Sequence, residues 1–156
     1  MNRATLSIPP EDIIVDDIDS NHISYSEWEE QVFQSSRHVF HHNNTLHRTN
    51  QPGSFATFKF NGTTVWYITD YFPDHGVVNI TLDAKPGGLV NGSSGSNVAL
   101  AQRILWNATN LPYGEHTVVV THQDTAGLYA TLDYFRYLSA NQAYRLEQSL
   151  EVWLVE

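Results

Sequence analysis

An all-β sandwich is the fold predicted by this 156-residue sequence. Three observations lead there. Apolar and polar residues alternate with period two in several short segments, turn residues (Gly, Asn, Pro) separate those segments, and apolar residues at helical spacing occur only in the tail. The length suits one domain able to bury a core without covalent staples.

Taken in order, residues 1–12 are polar, contain Pro9-Pro10 and read as a flexible arm. Ile13-Ile14-Val15 is a short apolar run before Asp16, Asp17 and Asp19, and residues 23–25 add a second short strand. Between 28 and 50 the pattern is poor, holds His38, His41, His42 and His47, and reads as a long loop or a ragged strand pair. Residues 53–60 alternate cleanly, with Ala56, Phe58 and Phe60 against Phe55, Thr57 and Lys59. They end in Asn61-Gly62, the strongest short hairpin signal, from which residues 64–69 are expected to return as the paired strand. A turn containing Pro73 follows, then a strand at 77–83 with Val78, Ile80 and Leu82 on one face and Asn79 and Thr81 on the other.

Residues 84–97 are rich in Gly and Ser and read as loop. Residues 98–106 are ambiguous by period, and their length between turn signals favours a strand. The stretch 111–137 opens with a Pro-Tyr-Gly turn and enters the β-branched strand HTVVVTH at 116–122. A polar loop with Asp124 and Gly127 leads to a second strand at 128–138 that carries Asp133. One acid in an otherwise apolar, aromatic strand requires a partner, because an unpaired buried carboxylate is costly. From residue 141 on, Ala143, Leu146, Leu150 and Trp153 recur at helical spacing, so the tail reads as a short amphipathic helix or a final strand. The expected organisation is a sandwich over 13–138 with an extension over 139–156.

The formal charge of −9 argues against a nucleic-acid partner and against an anionic membrane surface. No apolar run reaches the ~18 residues of a membrane span. The absence of cysteine excludes disulfides and thiolate metal sites. Asn-x-Ser/Thr acceptors stand at Asn43, Asn61, Asn79, Asn91 and Asn107, an excess that points to a secreted or cell-surface protein. A Ser/Thr-rich β protein that collects such triplets idly is the plainer alternative. The start holds no apolar signal region, so the secreted reading expects a leader to have been removed.

Three pieces carry a resemblance: IIVDDIDSNHISYSEW at 13–28, ATFKFNGTTVWYI at 56–68 with VNITLD at 78–83, and LPYGEHTVVVTH with LYATLDYFRY. In this order they resemble the galactose-binding-like jelly-roll domains of secreted and membrane-tethered fungal proteins, mainly basidiomycete, similar in fold to carbohydrate-binding modules. The resemblance covers residues 13–138 and implies a galactose-binding-like jelly-roll β-sandwich that recognises a glycan or cell-wall polysaccharide. In the related modules an acid on the first strand and the Asp of a terminal L-D-Y strand hold a structural calcium. Here that implies Asp133 with Asp16 and Asp17, although the Glu pattern of the family's first strand is absent. The alternative is an Asp133 that accepts backbone N–H bonds while Asp16 and Asp17 are solvated.

A pyranose stacks its C–H face on an aromatic ring while polar groups bind its hydroxyls. Tyr71, Phe72 and Tyr113 sit in expected loops beside Asp70, Asp74, His75 and Glu115; Tyr71, Phe72, Asp74, His75 and Tyr113 are therefore the candidate ligand residues, and both loops are expected to open at one end of the sandwich. Trp66 and Trp106 lie on strands and are expected in the core. His38 and His42 have an H-x₃-H spacing, but nothing around them supports a helix or completes a zinc ligand set. His116 begins a strand and suits a packed, hydrogen-bonded role. No nucleophile motif stands out, and no acid pair is singled out for glycoside hydrolysis. The expected function is non-catalytic glycan binding. An interaction ectodomain without a sugar site, or a small glycoside hydrolase, are the alternatives.

Overall fold

The computed structural model describes residues 11–34 and 40–139. Nearly all of the N-terminal arm, His38 and the tail helix or strand lie outside the described residues. Among those described the chain is all-β: β1 (Asp12–Asp16), β2 (Ile23–Tyr25), β3 (Glu29–Val32), β4 (Thr45–Thr49), β5 (Phe55–Gly62), β6 (Thr64–Tyr71), β7 (Val77–Leu82), β8 (Lys85–Asn91), β9 (Leu100–Ala108), β10 (Gly114–His122), β11 (Ala130–Leu132) and β12 (Tyr134–Leu138). Two large antiparallel sheets, ordered β1-β12-β6-β9 and β2-β5-β10-β7-β8, face each other as a jelly-roll sandwich, and a third, smaller sheet is ordered β11-β4-β3.

Alternation explains the core. Val15, Val65, Tyr67, Phe135 and Tyr137 from the first sheet meet Ile23, Phe58, Phe60, Ile80, Val118 and Val120 from the second. Phe58 stacks on Phe135 across the sheets, with ring centroids 4.2 Å apart. Each such fully buried side chain contributes about 1.5–3 kcal/mol.

The hairpin expected at Asn61-Gly62 does not form. β5 pairs with β10 and β2, whereas β6 pairs with β12 and β9, so the chain crosses from one sheet to the other at this corner. Gly is needed here for approach rather than for a turn: a Cβ on Gly62 would stand 2.1 Å from the Leu138 carbonyl oxygen. The Thr63 N–H donates to that same oxygen at 2.9 Å. Two other expectations change. The Gly-rich stretch read as loop contains β8, paired with β7, and the strand expected at 128–138 is broken at Asp133 into β11 and β12, which belong to different sheets. The ragged pair expected between 28 and 50 is β3 with β4.

His116 has the packed role expected of it. Its Nδ1 lies 2.7 Å from an Asp83 carboxylate oxygen and its Nε2 lies 2.6 Å from the Pro112 carbonyl oxygen. Both partners only accept, so the ring is held as an imidazolium. Burial works to lower its pKa, but the Asp83 bond and then the Pro112 bond outweigh it and raise the pKa. A raised histidine contributes stability that is fully present below the unfolded value of about 6.5 and is lost as pH rises through the folded value. His116→Gln should therefore flatten the fall in melting temperature above about pH 6.5. An unchanged pH profile in that variant would refute the imidazolium assignment.

Candidate functional site

β4 places two sites back to back. In the run TLHRT, Thr45 and His47 point to one side, and Leu46 and Arg48 to the other. On the first side, the Thr45 hydroxyl donates to Asp17 Oδ1 at 2.5 Å and His47 Nδ1 lies 2.7 Å from Asp17 Oδ2. On the second, Leu46 and Arg48 floor a pocket of about 270 Å³.

The first site gathers Asp16, Asp17 and Asp133, with one ligand oxygen from each lying within 4.8 Å of the others. Topology brings them together because β1 pairs with β12, and the Asp17 N–H donates to the Asp133 carbonyl at 3.0 Å. Asp17 and Asp133 are fully buried. Both Asp133 carboxylate oxygens accept the His42 N–H, at 2.9 and 3.2 Å, and Asp16 Oδ2 accepts the Asn43 side-chain amide at 2.8 Å. Burial first, then the neighbouring Asp17 charge, push the Asp133 carboxyl up to about 8, against a partial offset from the His42 N–H. Burial likewise raises Asp16. Asp19 is not part of the group; its carboxylate is turned to His22 and the Asn21 N–H. An all-oxygen, carboxylate-rich set with crowded like charge fits a hard divalent cation of the calcium type. Asp133 accepts a backbone N–H as in the alternative reading, but Asp17 is fully buried rather than solvated.

The second site lies where β6 ends. Phe72, Asp74 and His75, three of the five candidate ligand residues, line the pocket together. Tyr71 does not line it; it is half-buried at the end of β6 opposite Leu100. Tyr113 is at the other end of the sandwich, because it precedes Gly114, which pairs with Gly62 beside the start of β6. The two loops thus do not open together as expected: β10 and β6 both run away from the corner that Tyr113 adjoins.

The pocket's polar centre is Asp70, which the sequence sets beside the loop aromatics but not among the candidate ligand residues. Asp70, only 4% exposed, lies with Oδ2 3.0 Å from His41 Nε2 and with Oδ1 2.8 Å from His75 Nε2. The Thr131 hydroxyl donates to Asp70 Oδ1 at 2.9 Å. Burial alone would raise the Asp70 carboxyl, but the His41 and His75 hydrogen bonds hold it well below the usual carboxylate range. Apolar walls come from Phe33, stacked on His41 at 4.6 Å, and from Phe72, which is 40% exposed. Across the pocket the Arg48 guanidinium lies over the Tyr129 ring at 4.6 Å. Two signals pointed to these residues: an acid ending the apolar strand VWYITD, the same anomaly as Asp133, and the two-faced alternation of TLHRT.

No protein-family model matches this sequence, and no curated protein matches it. Solved structures do match in fold. A family 35 carbohydrate binding module from Clostridium thermocellum superposes with a TM-score of 0.56 at 13% identity, over 84% of this chain and 99% of that one. A two-domain esterase active on acetylated mannans gives 0.62 at 13% identity, covering 84% of this chain and 37% of the esterase. A Podospora anserina GH26-CBM35 β-(1,4)-mannanase gives 0.57 at 14% identity, over 84% of this chain and 28% of the enzyme. The chain thus spans about a third of the two enzymes and nearly the whole of the isolated module. At these identities the likeness establishes the fold: a jelly-roll β-sandwich of the kind seen in carbohydrate-binding modules.

Proposed function

We propose that this domain is a non-catalytic glycan-binding module of a secreted or cell-surface protein, of the fungal type its motifs resemble, and that it takes a glycan or cell-wall polysaccharide in the pocket at the end of β6. The observation that carries the reading is the pocket's composition. Flat apolar faces (Phe33, Phe72, Tyr129) surround a fixed cluster of carboxylate, imidazole and guanidinium groups, the mixture that orients a ligand as well as holding it. A glycoside hydrolase pairs a protonated acid with a second carboxylate, and Asp70, held ionised, does not supply the protonated one. Asp16, Asp17 and Asp133 are proposed to hold a structural calcium ion on the opposite face of β4, where its charge would offset theirs.

The test is titration with mannan-, glucan- and xylan-derived oligosaccharides. Phe72→Ala should weaken binding about tenfold or more, roughly 1.4 kcal/mol, and leave the melting temperature nearly unchanged because the ring is partly exposed and stands outside the core cluster. Tyr113→Ala should bind as the native protein does. Binding should depend little on salt, since sugars are neutral. A Tyr113 variant that loses binding while Phe72→Ala retains it would place the site at the other end of the sandwich.

A further inference from the structure

A second hollow adjoins the pocket. Its volume is about 250 Å³, and it is lined by Glu27, Trp28, Glu29, Arg48, Thr49 and Asn50. Arg48 belongs to both hollows, and the reason is the register of the small sheet: Glu29 pairs with Arg48 and Gln31 with Leu46, so these side chains share one face. Along that face the lining passes from Phe33, Gln31 and Leu46, over Arg48 and Glu29, to Trp28. Each hollow is smaller than the roughly 300–1,000 Å³ of a pocket for a drug-sized ligand, and joined over Arg48 they fall within that range.

The second hollow has one aromatic wall, the Trp28 ring, and one polar group with donors to spare. Arg48 spends its Nε–H on Glu29 Oε1 at 2.8 Å and its face on Tyr129, and its terminal N–H groups have no partner among the described residues. They stand between the hollows, able to donate to hydroxyl or ring oxygens on either side. Glu27, in the wall of the second hollow, holds a left-handed backbone (φ 60°), uncommon for a residue other than Gly, Asn or Asp.

We infer that the two hollows are consecutive subsites of one groove and that the ligand is a linear oligosaccharide rather than a single terminal sugar. One unit sits against Phe72 and the Asp70 cluster. Arg48 spans the linkage region, and a following unit packs against the Trp28 ring. This rests on the glycan-binding reading of the first pocket and adds the length and direction of the ligand, along β3 toward its N-terminal end.

The experiment is calorimetric titration with ladders of one to five units (mannose to mannopentaose, and the matching gluco- and xylo-series), combined with the ¹H–¹⁵N indole signals of the four tryptophans. Trp28 is assigned by its loss in Trp28→Phe, a variant that keeps an aromatic ring beside Tyr25, though a smaller one than the indole. The affinity should rise by about tenfold from one unit to three or more, and only the longer ligands should shift the Trp28 indole signal. Trp28→Phe should lose about three- to tenfold for the longer ligands, because the smaller ring covers less of the second unit, and bind the single sugar unchanged. Equal affinity along the ladder, or an unmoved Trp28 signal under saturating pentasaccharide, overturns the extended groove while leaving the single pocket standing. No binding by any ladder at any length overturns both readings.

Discussion

Asp133→Asn is expected to abolish the calcium response of the melting temperature while leaving the calcium-free protein as stable as the native one. The argument starts from the crowding of Asp16, Asp17 and Asp133. Without a cation, burial and the Asp17 charge keep Asp133 protonated up to about pH 8, so a neutral Asn replaces what is already a neutral group. Asn also keeps an oxygen for the His42 N–H, which donates to this carboxyl in the native chain. With calcium the comparison reverses, because the ion binds only the native fold and stabilises it by about 2.7 kcal/mol at a hundredfold excess over Kd. For a chain of this size that is a rise of roughly 5–10 °C. The native protein should show that rise on adding calcium and lose it with chelator, and Asp133→Asn should show neither. A native melting curve indifferent to both additions would leave Asp133 as a hydrogen-bonding group alone.

Some of this fold was legible in the sequence and some was not, for identifiable reasons. Ala56, Phe58 and Phe60 alternate with Phe55, Thr57 and Lys59, and the structure buries the first set and leaves the second more exposed. Period two says which face a residue takes, but it does not name the neighbouring strand. Asn61-Gly62 therefore passed for a hairpin, when its glycine serves a close approach to Leu138 across the two sheets. The β8 strand was hidden because LVN follows Pro and two glycines, residues that normally interrupt strands. The break at Asp133 was announced as an anomaly, an acid in an aromatic strand, without any hint that the chain changes sheets there.

The sites divide along the same line. Asp16, Asp17 and Asp133 were paired through the resemblance, and the β1–β12 ladder brings them within reach of one another. Phe72, Asp74 and His75 line one pocket together because aromatic and polar residues crowd one short loop, a grouping that local composition shows. His41, Arg48 and Tyr129 reach the same pocket from three separate segments, a convergence only long-range pairing creates. Tyr113 lies away from this pocket for the complementary reason: the end at which its loop opens depends on strand direction, and β10 begins beside the start of β6 rather than its end.

Asp70→Ala is expected to cost both binding and stability, with Asp70→Asn the milder of the two. In the native chain His41 Nε2, His75 Nε2 and the Thr131 hydroxyl all converge on this one buried carboxylate. Alanine leaves the three donors without it. The Thr131 hydroxyl still has Thr69 Oγ1 at 2.8 Å, but the two imidazoles have no replacement, so the loss is about 2–5 kcal/mol. Asparagine restores one acceptor and offers an amide N–H that a single imidazole can accept by changing tautomer, so part of the loss is recovered. The pH dependence supplies an independent check. The Asp70 carboxyl is depressed in the folded state, so its contribution is present above the unfolded value of about 3.9 and is lost as pH falls toward the folded value. The stability gap between the native protein and Asp70→Ala, read from urea unfolding, should be constant above about pH 5 and should narrow below pH ~4. Binding should fail in the alanine variant even where it remains folded, because His41 and His75 lose the acceptor that fixes their orientation in the pocket wall. A gap that does not change with pH, or an alanine variant that binds as the native protein does, would show that this cluster neither depends on an ionised Asp70 nor shapes the site.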